Sequence, residues 1–244
     1  GEMAIFHRHE EEKGQGAVQF SVANVTRPGS FDIDALAGST VPGLSFFLRL
    51  PGPARPLEAF DCMLETARVV VRMLAERGLR VLACKLTGAA RYRDILSCLD
   101  VGAEHVMDFV DAGLPSTVCE ESVYVPALEH MLSRMAVLDP DVIVAEAGAS
   151  PLEPYNGAEA FRRLAPLVRL SILCASDPYA VLGVMDAFGI QPDLVAGPAG
   201  NTTAAVELVQ KLTGVRALNL LERGGAEELR MLLEQRIVRP AAPR

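Results

Sequence analysis

From residue 79 onward, short apolar runs alternate with segments of helical spacing, and no other property of the sequence narrows the fold so far. "LRVLACKL", "EHVMDFVD", "PDVIVAEAG", "RLSILCAS", "PDLVAGP" and "VRALNLL" read as strands. Between them, "RYRDILSCLDVG", "VYVPALEHMLSRMAVLD", "AEAFRRLAPLV", "PYAVLGVMDAFG" and "NTTAAVELVQKLTG" read as helices, with "GAEELRMLLEQRI" closing the chain as a surface helix. Strands that are apolar at nearly every position are buried on both faces. The expected fold class is therefore α/β: a three-layer, mostly parallel, doubly wound sheet.

Upstream the pattern changes. In "LEAFDCMLETARVVVRMLAERG", Ala67, Val70, Val71, Leu74 and Leu79 fall near helical spacing, and Gly78 is placed to stop the helix. "PGPARP" puts three prolines in six residues and opposes regular structure. "AVQFSVANV" and "LSFFLRL" are strand-like pieces separated by Gly, Pro and Asp turn signals. The expected organisation is a disordered or tag-like tail over 1–16, an N-terminal β segment over 17–50, and an α/β domain over 51–244.

Composition excludes several classes. A net charge of −8 argues against general nucleic-acid binding. No apolar run approaches the ~18–20 residues of a membrane span, and "GEMAIFHRHEEEKGQG" is too charged for a secretory signal. These points give the expectation of a cytoplasmic protein with no membrane association. Five cysteines, an odd number without a C-x-x-C pair, read as reduced core thiols.

Ligands of parallel sheets gather at the carboxyl ends of the strands. That rule selects Lys85, Thr87, Asp108, Asp111, Glu146, Asp177 and Asn201. Lys85, Arg91 and Arg93 place three cations within nine residues, which points to a small anionic ligand. Lys85 either stabilises developing negative charge or snorkels into water. Arg91 and Arg93 either clamp the anion or pair with Asp94, while Thr87 and Gly88 supply donors or only a turn. Asp108 and Glu146 can hold a metal; Asp111 can orient Lys85 or cap its own turn. Ser116, Thr117, Tyr155 and Asn156 are candidate substrate contacts. Asp177, ahead of Pro178, is an N-cap or a ligand, and Asn201 and Thr202 start a helix where an anion would be favoured.

The stretches "ACKLTGAARYRD", "DFVDAGLPST", "DVIVAEAGASPLEPYNG" and "LCASDPYAVLGVMDAFGIQPDLVAGPAGNTTAAVELVQKLTG" resemble P-loop proteins similar to dethiobiotin synthetase, over about residues 66–222. That group includes a domain-of-unknown-function family to which some D-glutamate N-acetyltransferases belong. The resemblance implies a P-loop NTPase fold, a homodimer, Mg and ATP, and a carboxylate-bearing substrate. It also implies Lys85, Glu146 and Asp111 as catalytic groups, with Asp177, Asn201 and Thr202 near the nucleotide.

One departure stands against it. The Gly-Lys-Thr of a phosphate loop would fall near Cys62, Met63, Leu64 and Glu65, where no lysine stands. Arg55 is the nearest substitute. Two readings remain open on the sequence: a small-molecule enzyme of ligase or acyl/phosphoryl-transfer chemistry with a degenerate nucleotide site, or a non-catalytic relative acting as a binding or scaffolding subunit.

Overall fold

The computed structural model describes the backbone of residues 4–8, 19–24, 44–49 and 55–62. It describes backbone and side chains of 63–148 and 154–238, apart from the Tyr92 side chain. Contacts divide the chain into two compact units, 1–54 and 55–244.

In the first unit, β1 (Ala4–Arg8), β2 (Gln19–Asn24) and β3 (Leu44–Arg49) form an antiparallel sheet in the order β1-β2-β3. The register aligns Phe6 with Val22 and Val22 with Phe46, and Phe20 with Leu48. The same register aligns His7 with Ser21 and Ser21 with Phe47. β1 falls within the span read from sequence as a tail; the rest of that span lies outside the described residues.

The second unit begins with α1 (Arg55–Ala75), which starts within the last residues of the proline-rich stretch. Proline is tolerated in the first helical turn, where its missing N–H has no partner to lose. Val70, Val71 and Leu74 bury one face of α1, while Glu65–Arg68 and Arg72–Glu76 pair at helical spacing on its polar side. Gly78, at φ +78°, ends the turn after it.

β4 (Val81–Thr87) is buried along its whole length and lies between β5 (His105–Asp108) and β6 (Val142–Ala147), all parallel. α2 (Tyr92–Leu99), α3 (Glu121–Val137) and α4 (Gly157–Leu164) fill the connections. β7 (Ile172–Cys174), α5 (Pro178–Phe188) and β8 (Leu194–Ala196) form a second, two-stranded parallel pair. α6 (Thr203–Thr213) and α7 (Arg223–Leu233) complete the unit. One core joins α1 through Val70, Val71 and Leu74 to Val81 and Ala83 of β4, Leu194 of β8, and Leu229 and Leu233 of α7.

The expected doubly wound sheet is corrected here. Among the described residues the parallel strands form two small sheets, β5-β4-β6 and β7-β8, rather than one large one. "VRALNLL" makes a single bridge, Ala217 to Val195, before Asn219 turns the chain by accepting from Leu221 N through its side chain. Alternating apolar runs specify βα units, but periodicity says nothing about which strand edges meet.

Candidate functional site

Lys85 lies in the C-terminal half of β4, and the parallel register sets it opposite Asp108 on one side and Glu146 on the other. The three lie in one row across the sheet. Lys85 does not reach water: it is 1% exposed, and Nζ donates to Asp94 Oδ2 at 3.1 Å. Asp94, in the first turn of α2, is fully buried. It was legible only as a partner for Arg91 or Arg93, and Arg91 does approach Asp94 Oδ1 at 3.8 Å. Its position one turn into the helix after a buried lysine was the available signal.

Glu146 is the anomaly of the cluster. It is buried, Oε1 has no hydrogen-bond partner, and burial pushes its pKa up to about 7, against the pull of Lys85. Burial also raises Asp108, although its Oδ1 accepts from Val110 N at 2.7 Å. One lysine thus sits among three carboxylates in a space with little water. Such a cluster can hold a proton at neutral pH. Its four members are buried among the described residues.

The neighbouring polar groups are spent on one another. Thr87 Oγ1 donates to Gly148 O (2.8 Å), and Gly88, whose φ of +116° favours glycine, donates its N–H to Thr117 Oγ1 (2.9 Å). Thr117 Oγ1 donates to Tyr155 O (2.8 Å), and Asn156 Nδ2 donates to the carbonyls of Thr117 and Cys119 (2.9 Å each). Ser116 Oγ accepts from Val118 N, and Asp111 Oδ2 accepts from Asp108 N. Three loops are stitched together by these bonds. Arg93 is exposed.

The remaining candidates lie elsewhere. Asp177 caps α5, its Oδ1 accepting from Tyr179 N and Ala180 N. Thr202 caps α6 by accepting from Ala205 N, and the Asn201 carbonyl accepts from Asn219. Arg55 begins α1, but its side chain lies outside the described residues, as does the loop 149–153. A cleft of about 410 Å³ opens beside α4, lined by Cys119, Glu121, Asn156, Glu159 and Arg162 among others, and the Lys85 cluster does not contribute to it. Burial and Glu120 raise the Cys119 thiol, so it is not an activated nucleophile.

Positions 62–65, where a phosphate loop would stand, are inside α1, with their amides committed to the helix. Among the described residues, no group of three or more His, Cys, Asp or Glu could hold a metal ion.

These features define a class of α/β body in which the described polar groups at the strand ends bond one another. The comparisons narrow that class. A family model described as "ZipA, C-terminal FtsZ-binding domain" matches residues 1–79. Cell division protein ZipA of Marinobacter nauticus is 55% identical over 74 residues, 30% of this chain and 22% of that protein. Cell division protein ZipA of Stutzerimonas stutzeri is 56% identical over 68 residues, 28% and 25% of the two chains. That of Ectopseudomonas mendocina is 51% identical over 74 residues, 30% and 27%. The chain spans about a quarter of the length of the curated relatives it matches. No solved structure matches it.

These findings overturn several expectations. They give no sign of a P-loop NTPase family, so the resemblance to dethiobiotin-synthetase-like proteins is withdrawn, together with the ligase and transferase chemistry built on it. Of the signals that suggested it, Lys85, Thr87 and Gly88 of "KLTG" are engaged in buried pairing and loop stitching. A small anionic ligand and a homodimer give way to a protein-binding domain as the feature to explain. The cytoplasmic, membrane-free placement is withdrawn as well, because three quarters of each matched division protein has no counterpart here to place. No helix of the described residues is long and apolar enough to cross a membrane.

Proposed function

We propose that the chain is a non-catalytic binding protein whose residues 1–79 engage FtsZ in cell division. One observation carries this reading: identity of 51–56% to cell division proteins ZipA across 68–74 residues, within a stretch matched by an FtsZ-binding domain. The chemistry of the second unit supports it, since Lys85, Thr87, Ser116, Thr117 and Asn156 are engaged by internal partners. A protein partner needs a stable surface and no reactive centre.

Co-sedimentation with FtsZ polymers tests the reading. The chain enters the pellet saturably as its concentration rises. Recovery no greater than that of an unrelated acidic protein of similar size rules FtsZ binding out.

A further inference from the structure

Glu146 is 7% exposed, and its Oε1 is enclosed without a hydrogen-bond partner. The charged and titratable groups around it are engaged elsewhere or carry like charge. From β4, Lys85 gives its ammonium to Asp94 Oδ2 at 3.1 Å, and Cys84 is a buried thiol. From α2 come Asp94, a second carboxylate, and the buried Cys98. Asp108 of β5 lies across Lys85 in the register. α1 and α4 also pack on β6. On α1, Arg68 pairs with Glu65 at 2.7 Å, and on α4, Glu159 is held by Arg162 and Arg163.

From Glu146 the backbone leads into the stitched loops. Two residues on, Gly148 O accepts from Thr87 Oγ1 at 2.8 Å. Gly88 lies against this carbonyl and the Lys85 stem: a Cβ there would stand 3.8 Å from Gly148 C and 3.5 Å from Lys85 Cε. Gly88 N donates to Thr117 Oγ1, Thr117 Oγ1 to Tyr155 O, and Asn156 Nδ2 to the carbonyls of Thr117 and Cys119. Cys119 and Asn156 line the cleft beside α4.

A buried carboxylate without its own donor or cation is costly, and the neutral carboxyl much less so. We propose that Glu146 is a proton-operated latch on this cleft. Protonated, it stays enclosed and the loops stay closed. Ionised, it releases its proton to water and turns outward, drawing Ala147 and Gly148 away from Thr87 and loosening the bonds that end at Asn156. Burial, which pushes Glu146 up to about 7, sets the latch to work around neutral pH. The inference concerns the unit 55–244 and stands apart from the FtsZ-binding reading.

The test is an NMR titration of the full chain from about pH 5 to 9, following the Glu146 carboxyl carbon, the Asn156 side-chain amide and hydrogen exchange at Gly88 and Ala83. The carboxyl carbon is expected to titrate near pH 7, with the Asn156 signal moving at the same midpoint. Gly88 protection, corrected for the intrinsic rate, is expected to fall about tenfold between pH 6 and 8 and to lie below that of Ala83 in β4. In Glu146→Gln these responses are expected to be absent. A Glu146 midpoint near 4.5 overturns the buried proton. A midpoint near 7 with Asn156 and Gly88 unchanged overturns the latch. Equal protection of Gly88 and Ala83 at pH 8 means that the unit opens as a whole, and responses that persist in Glu146→Gln belong to other groups; either result also overturns it. The wild-type titration decides the matter if the variant does not fold.

Discussion

Lys85 Nζ and Asp94 Oδ2 are 3.1 Å apart with 2% and 0% of their side chains exposed, joining the central strand β4 to the helix that follows it. Removing one partner of such a pair strands the other charge in a medium that solvates it poorly, at a cost of about 3–5 kcal/mol. Asp94→Asn is therefore expected to lower unfolding stability by roughly that amount, read from the shift in a urea melt. Glu146 lies beside the stranded lysine and can partly replace Asp94, so the loss is smaller at pH 8 than at pH 5. An equal loss at both pH values would show that Glu146 does not share Lys85.

Glu146 fixes a pH dependence by itself. Its pKa is raised from 4.5 to about 7 in the folded chain, so the native state holds its proton more tightly than the unfolded state. The stability this contributes is fully present below pH 4.5 and is lost as pH rises toward 7, by on the order of 3 kcal/mol. Glu146→Gln keeps the shape and removes the titration. Its stability profile between pH 4.5 and 7 is expected to be flatter than the wild type's; an unchanged slope assigns the dependence to other groups.

Thr117 is fully buried and stitches two loops through one oxygen, accepting from Gly88 N and donating to Tyr155 O. Thr117→Val preserves volume and leaves both backbone groups unpaired. About 2 kcal/mol of destabilisation is expected at roughly 1 kcal/mol per stranded group, with faster amide exchange at Gly88. A neutral result would mean that water takes over both bonds.

Two adjacent glycines of α7 give opposite expectations. A Cβ at Gly224 meets nothing within 4 Å, so Gly224→Ala gains helix propensity, about 0.5–1 kcal/mol. A Cβ at Gly225 would collide with the Asn219 carbonyl, so Gly225→Ala costs about 1–3 kcal/mol. Thermal melts of the two variants should move in opposite directions. Movement in the same direction would contradict the close approach of α7 to the 219–222 turn.

Much of the local structure was legible in the sequence. Val81–Thr87, Val142–Ala147 and the helices after them stand close to where apolar runs and helical spacing put them. Asp177 ahead of Pro178 also forms the N-cap that this pair of residues suggests. What periodicity could not show was pairing between elements: that the parallel strands divide into two sheets, and that Asp94 rather than a ligand answers Lys85. A lysine at the end of an apolar strand looks the same in one sequence whether it meets a phosphate or a buried carboxylate. The likeness to cell division proteins was hidden for a different reason. The informative residues lie in 1–79, whose strand pieces and long helix have ordinary patterns, and they speak only through comparison with other chains.

α1 therefore answers to two masters during evolution. Residues 63–75 must satisfy the apolar partners supplied by β4, β8 and α7, and they also belong to a stretch held at about half identity with division proteins that this chain otherwise does not share. A substitution at Val71 or Leu74 is thus a change to both at once.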